Sequence, residues 1–297
     1  MVNNFYKGER NQMSYIIAIG AYLVLLMIYG LVIAHKKVKT TDDMMTGGHK
    51  IPFIILVGSL LATWCGGGGI TGSAGVVYTG GPWVGALTFA APPIGIILLY
   101  FIAGKVRKSN KVTVPEIMGA RYGTVASIIS ALCVMLAYVG VLATQLKAAA
   151  NILVLLCSSS NIEMSHGTAL AICTVIVVII TVGGGLVSVA YSDAISALIM
   201  IGGFFLAIPI LMHAASTQGA VLSPEKTTLT GGMSGWTILG YFLPSLALML
   251  GDQNMLQRFA SAKNSDEAKK SNIGMFIGEL LVIISIIALV TQAAKLY

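Results

Sequence analysis

Charge is what this chain has least of. Only 10% of its 297 residues are Asp, Glu, Lys or Arg, where soluble domains carry about 25%, while 56% are hydrophobic. That balance excludes a water-soluble domain. The formal net charge is +7, but no continuous basic face exists to grip nucleic acid; the basic residues fall in short clusters between apolar runs, the distribution of a membrane protein. Long polar stretches are lacking too: the longest connection, 214–232, is too short to bury a core of its own. The four cysteines (Cys65, Cys133, Cys157, Cys173) have no CxxC spacing, which excludes a zinc ribbon and offers no disulfide framework; they read as small apolar residues of helices. His35, His49, His166 and His213 lie in loops or at span ends and never cluster. No hydrolase, kinase or metal-ligand signature is present, so the sequence supports neither an enzyme nor an organic cofactor.

What the chain has instead is apolar length. A span needs roughly 20 apolar residues, and eight stretches qualify: 13–34, 51–80, 83–104, 124–156, 168–187, 191–213, 235–257 and 272–294. Residues 1–11 are polar and the first apolar stretch is long enough to span, the pattern of a membrane segment rather than a cleaved leader. Loops 35–50, 105–121 and 257–271 hold most of the lysines and arginines, whereas 157–166 and 213–232 hold only Lys226. The positive-inside rule makes the basic loops cytoplasmic and the N-terminus external. The segment TVPEIMGARYG (113–123) reads as a short interfacial helix, with Pro115 near its start.

Glycine is the other excess. Between Ser59 and Gly81, SLLATWCGGGGITGSAGVVYTGG holds eight glycines, four of them consecutive, Gly66 to Gly69. Each weakens a helix by roughly 1 kcal/mol relative to alanine. Unwound backbone at membrane depth survives only where it is buried in protein or lines a cavity, and glycine-interrupted spans point to the midplane site of a secondary transporter. GGGGITG is not a phosphate loop, because no GK[ST] follows it, nor a dinucleotide fingerprint, because no βαβ unit surrounds it.

Ionisable residues within spans mark function or a buried pairing. Four qualify: Lys147 in ATQLKAAANIL, Asp193 after GGGLVSVAY, Asp252 in LMLGDQNMLQR and Glu279 in GMFIGELLV. Asp193 also suits a helix cap, Lys147 has a stem long enough to snorkel, and Glu279 reads as near enough to the cytoplasmic face to reach water. Asp252, Gln253 and Asn254 form a polar run that makes little sense against lipid and is expected to face a cavity. Trp64, just before the glycine run, is either core or an aromatic wall able to hold a cation. Candidate solute contacts are Trp64, Gly66, Gly67, Gly68, Gln145, Lys147, Asp252 and Gln253.

Three segments, in order and spacing, resemble hallmark regions of the sodium:solute symporter family: ATWCGGGGITGSAGVVYTGG, GGGLVSVAYSDAISALIMIGG and GDQNMLQRFASAKNSDEAKKS. The G-G-x-x-x-V-x-x-[ST]-D run and the later Q-R-x-x-[AS]-A-[KR] are the more specific. The first two stretches look most like the choline-transporter-like branch. The resemblance covers essentially the whole chain. It implies an all-α polytopic membrane protein with the five-plus-five inverted-repeat bundle of LeuT-type transporters: 13–34 an extra N-terminal helix, 51–213 the first repeat, 235–294 the first two helices of the second. It implies a secondary active transporter in a bilayer, moving a small organic solute with Na+ as coupling ion by alternating access; a proton-coupled transporter or exchanger, or a solute sensor, is the alternative.

The same resemblance assigns sodium to the backbone carbonyls of Ser59 and Ala62, with the Thr63 hydroxyl beside them, and places Asp193 near the inward sodium exit. Two positions depart from the family: Ser196 stands where glutamine is frequent, and Asp252 where the choline branch has an aromatic cage residue. The family has three further core helices, and hydroxyls on the first of them complete its sodium site. The sequence-based expectation is therefore a fragment, or a half completed by a second chain supplying the missing helices, and no uptake by residues 1–297 alone.

Overall fold

The computed structural model describes residues 9–160 and 162–296, and its described residues form helices joined by turns. In chain order these are α1 (Glu9–Lys37), α2 (Thr41–Thr46), α3 (Phe53–Trp64), α4 (Gly67–Gly80), α5 (Pro82–Thr88), α6 (Ala91–Ser109), α7 (Val114–Tyr122), α8 (Thr124–Ser159), α9 (His166–Thr217), α10 (Gly235–Gly251), α11 (Gln253–Ser261) and α12 (Ser265–Leu296). Among the described residues, five helices are each long and apolar enough to cross a membrane. A sixth span forms if the bent pair α3 and α4 counts as one, its halves meeting at 56°.

Beyond that bent pair, one of the eight expected spans is divided, and the boundary between two others falls at a kink. The stretches 168–187 and 191–213 are two helices within the continuous range of α9, meeting at a kink where Gly185 leaves helical backbone (φ 56, ψ −159). A side chain there is excluded twice over: φ lies in the region that L-residues avoid, and a Cβ would sit 2.5 Å from Met44 Cγ. The stretch 235–257 is divided at Asp252, whose extended backbone (φ −67, ψ 114) ends α10 and starts α11. The interfacial helix is present as α7, its first turn capped by Thr113 Oγ1, which accepts from Glu116 N at 3.2 Å.

The core lies where the two divided helices meet α6 and α12. Leu56 and Leu60 of α3, Ile96 and Leu99 of α6, Met249 of α10, Met255 and Phe259 of α11, and Met275 of α12 are buried together. Helix α3 also packs backbone-close on α9. A Cβ on Gly58 would fall 2.6 Å from Ala194 Cα, and this near contact brings Ser59 against Asp193, one residue along each helix. The basic loops converge at one end of the bundle: Arg107 Nε donates to Ala262 O at 2.5 Å, His49 Nδ1 lies 2.6 Å from Ala260 O, and Gln257 Nε2 donates to Met45 O at 2.9 Å. At the other end Lys226 sits over the Tyr78 ring at 4.7 Å. The three basic loops read from charge are thus together in space.

Candidate functional site

Two broken helices line one cavity. Helix α3 stops at Trp64, with Cys65 N bonded to Leu61 O and the chain extended through Gly66 before α4 begins. The carbonyls of its last turn have no following helical amide, which leaves Ala62, Thr63 and Trp64 as backbone oxygens at the break. The second break is organised by a carboxylate. Asp252 Oδ1 accepts from Met255 N at 3.0 Å, capping α11, and from the Tyr138 hydroxyl at 3.0 Å, while that hydroxyl accepts from Asn254 N at 3.1 Å. The cavity between the breaks has a volume of about 430 Å3 and is walled by Thr63, Trp64, Cys65, Tyr138, Gln145, Tyr241, Asp252, Asn254 and Glu279 among others.

The expected contacts divide on inspection. Thr63, Trp64, Gln145 and Asp252 line this cavity. Gly66 backs onto α8, where a Cβ would lie 2.3 Å from Gln145 Nε2, and Gly67 faces Ala148 at 3.1 Å; the surroundings of Gly68 lie outside the described residues. Lys147 is corrected: it is exposed and absent from the wall. Two residues along a helix rotate a side chain by about 200°, so with Gln145 facing in, along the face that also carries Tyr138, Val141 and Thr144, Lys147 faces out. Gln253 is corrected too. Its amide accepts from Val114 N at 2.7 Å and donates to Val112 O at 3.2 Å, fastening the start of α7 rather than facing the cavity.

About a turn and a half before the break lies a second polar cluster. Arg258 of α11 donates through Nη2 to Asp193 Oδ2 at 3.1 Å and through Nε to Ser59 Oγ at 2.8 Å, and Ser59 Oγ donates to Asp193 Oδ2 at 2.8 Å. Ser59 is fully buried and Arg258 5% exposed. This is the sole ion pair among the described residues. Asp193 lies within α9, eight residues past Gly185, so it is not a helix cap. Thr63 Oγ1 donates to Ser59 O at 2.7 Å, and Ala62 is half-buried beside it. Ser196, the departure from the family pattern, has its hydroxyl 2.8 Å from that of Tyr22 on α1.

Arg258, Tyr138 and Glu279 lie outside the set of site residues expected from the sequence. The Q-R motif contains Arg258 without saying what it pairs with. Tyr138 shows no polar neighbour in sequence. Glu279 is visible as an acid in an apolar run, but the expectation that it reaches water is wrong; it is 3% exposed, with Cys65 Sγ donating to its Oε2 at 3.5 Å.

Comparison with known proteins agrees with this architecture. A solved Na+-coupled sialic acid symporter, in a substrate-bound outward-open state, superposes with a TM-score of 0.75 at 17% identity, covering 95% of this chain and 60% of that one. The fold is therefore the all-α LeuT-type bundle. The high-affinity choline transporter 1 of Torpedo marmorata is 28% identical over 278 residues, 86% of this chain and 46% of the relative. The Drosophila melanogaster protein of that name is 27% identical over 65% of this chain and 31% of its own length. The sodium/proline symporter of Salmonella typhimurium is 26% identical over 81% of this chain and 49% of its own length. The chain thus spans half or less of the length of these curated relatives. Residues 44–297 match the profile of the sodium:solute symporter family, a family of transporters rather than enzymes, and the chain is a multi-pass membrane protein that belongs to it.

Proposed function

We propose that the protein contributes to Na+-driven uptake of a small organic solute by alternating access. The observation that carries this reading is the meeting of two broken helices, α3/α4 and α10/α11, around one cavity lined by aromatic, amide and carboxylate groups. Broken helices at membrane depth supply oxygens and half-helix ends without lipid exposure. On this reading α1 is the extra N-terminal helix, residues 51–213 form the first repeat and 235–294 the first two helices of the second. Sodium sits at the end of α3, where the freed Ala62 carbonyl and the neighbouring oxygens of Thr63 and Ser59 are hard ligands suited to a small cation. Asp193 stands on its way out. In the plasma membrane, with the basic loops cytoplasmic, the membrane potential adds about 2.3 kcal/mol per charge per 100 mV to the drive.

The test is uptake into proteoliposomes holding the purified protein, with choline, proline and myo-inositol as probes, under an inward Na+ gradient and under an equal K+ gradient. Accumulation only with Na+ supports the reading. Equal uptake under both gradients, or uptake that follows a pH gradient instead, would sink it.

A further inference from the structure

A second cavity, of about 380 Å3, opens where α1, α2 and α9 meet at the basic end of the bundle. Its polar wall is three lysines and a phenol: Lys37 closing α1, Lys39 after it, Lys50 before α3, and Tyr191 of α9. Its floor, Ile51 and Val187, is buried and apolar. Backbone fit holds the wall in shape. Met44 of α2 seats on the kink at Gly185, and a Cβ on Gly47 would lie 2.7 Å from Ile51 Cγ1 and 3.4 Å from Val187 Cγ2. A loop lysine usually trails its ammonium into water, but Lys37 turns back onto the fold: its Nζ donates to the Tyr191 hydroxyl at 2.5 Å and lies 4.3 Å from the centre of that ring. The phenol accepts there and keeps its own O–H to donate. Asp43 is the one carboxylate in the wall among the described residues, and its Oδ2 is already taken by Lys39 N, Thr40 N and Thr40 Oγ1. None of the three lysines forms an ion pair within the described residues. The cavity therefore presents converging donors, with three positive charges against one negative.

We propose that this cavity binds the phosphate of an anionic phospholipid, in the leaflet on the basic-loop side of the membrane. A phosphate diester brings a negative charge and several acceptor oxygens to converging ammonium and hydroxyl donors, and basic pockets between membrane helices suit such headgroups. Position selects the lipid over a soluble phosphate. Lys37 is the last residue of the membrane-crossing helix Ile16–Lys37, at the depth where headgroups lie. Met44 and Met45 of α2, and Phe53 and Ile54 at the start of α3, are exposed apolar side chains that acyl chains would cover beside the lysines. Bound there, the lipid bridges α1, α2 and the kinked α9. The site is separate from the cavity at the broken helices, and the proposal stands whether or not the transport reading does.

Lysine footprinting tests this on the unaltered protein. The purified chain is placed in nanodiscs of phosphatidylcholine alone, of phosphatidylcholine with phosphatidylglycerol, and of phosphatidylcholine with added inorganic phosphate at matched ionic strength. Each sample is pulsed with a neutral acetylating reagent, and modification of each lysine is read by mass spectrometry. Lys36 is the internal reference: it neighbours Lys37 in the chain, is exposed and lies outside the cavity wall, so it feels the surface charge of the discs without the site. Phosphatidylglycerol should slow acetylation of Lys37, Lys39 and Lys50 by about fivefold or more beyond its effect on Lys36, the factor for a site about four-fifths occupied. Inorganic phosphate should give little of that protection. Lys50→Gln should weaken the protection of Lys37 and Lys39, because the three share one ligand, whereas Lys108→Gln, in another basic loop, should leave it intact. Equal slowing at Lys36 and at the three wall lysines would reduce the effect to surface potential and overturn the proposal. Full protection by inorganic phosphate would overturn the lipid as its source, and unchanged protection in Lys50→Gln would show three separate lysines rather than one site.

Discussion

Two acids of one bundle, Asp193 half-buried and Glu279 buried, are treated in opposite ways. Asp193 has a guanidinium and a hydroxyl on one of its oxygens, and the cluster Ser59–Asp193–Arg258 ties α3, α9 and α11 into a single polar knot. Glu279, on α12 beside the end of α3, has a thiol and an indole against it and lines the cavity. The first region satisfies its charge internally; the second holds its acid with neutral donors alone among the described residues. A charge paired within the fold holds helices together, whereas Glu279 meets only neutral donors at the wall of the cavity.

Breaking the knot should have the largest effect. Arg258→Ala leaves Asp193 and Ser59 facing a void; removing one member of a fully buried pair costs about 3–5 kcal/mol, and the 23% exposure of the Asp193 side chain brings the expected loss below that. A large drop in the thermal unfolding temperature of the detergent-solubilised protein is expected. The double variant Arg258→Met with Asp193→Leu should recover much of it, since apolar replacements of similar volume often match a buried pair. Glu279→Gln, by contrast, should leave the unfolding temperature of the solute-free protein unchanged or raised. A loss there comparable to that of Arg258→Ala would abolish the distinction between the two acids.

The cavity side is the more sensitive to volume. A Cβ on Gly66 would lie 2.3 Å from the Gln145 amide nitrogen, so Gly66→Leu must push Gln145 off its position on the wall. Solute affinity should fall by about tenfold or more, roughly 1.4 kcal/mol, with little change in unfolding temperature, because a flexible side-chain end can move at low cost. Wild-type affinity in isothermal titration would show that the glycine run serves packing alone.

How far the sequence could foretell this contrast differs between its parts. The break in α3 is legible because four consecutive glycines state it locally, and the divided α10/α11 is half legible, as a polar run at Asp252 without the capping geometry. Loop charge yields the correct grouping of ends, since the positive-inside bias is a property of composition. The partners are not legible. Arg258 and Asp193 are 65 residues apart, Tyr138 and Asp252 114, Cys65 and Glu279 214. Such pairings are made by helix packing, by contacts such as Gly58 on Ala194, and no local pattern encodes them. The same blindness explains Lys147 and Gln253: their positions along a span are readable, but the face of the helix decides what a side chain meets.

A smaller effect would sharpen the role of Asp252, which stands between the two extremes. Tyr138→Phe removes a hydroxyl that donates to Asp252 Oδ1 and accepts from Asn254 N. One half-buried amide loses its partner and the carboxylate keeps only the Met255 amide on that oxygen, a cost of about 1 kcal/mol. If Asp252 is chiefly a cap, the loss should appear as lower stability with unchanged solute affinity. If it also faces the solute, affinity should move as well. No change in either would mean that the cap does not depend on Tyr138.

The smallest effect belongs to an acid that needs neither device. Asp43 lies half-exposed in the first turn of α2, where its Oδ2 accepts from Lys39 N at 3.1 Å, Thr40 N at 3.0 Å and Thr40 Oγ1 at 2.9 Å, while Thr40 Oγ1 accepts from Asp43 N at 3.1 Å. This reciprocal cap on α2 holds the Asp43 carboxyl below its ordinary pKa, first through the Thr40 hydroxyl and then through the Lys39 amide. Because the folded value is lowered, the ionised form stabilises the loop above the ordinary carboxylate pKa, and that contribution fades as pH falls through the lowered value. Hydrogen exchange at residues 40–44, corrected for its intrinsic pH dependence, should therefore lose protection between neutral pH and about pH 3, and Asp43→Asn should remove most of that pH dependence. Protection that instead disappears on raising the pH would show that the lysines around this loop, not Asp43, hold it in place.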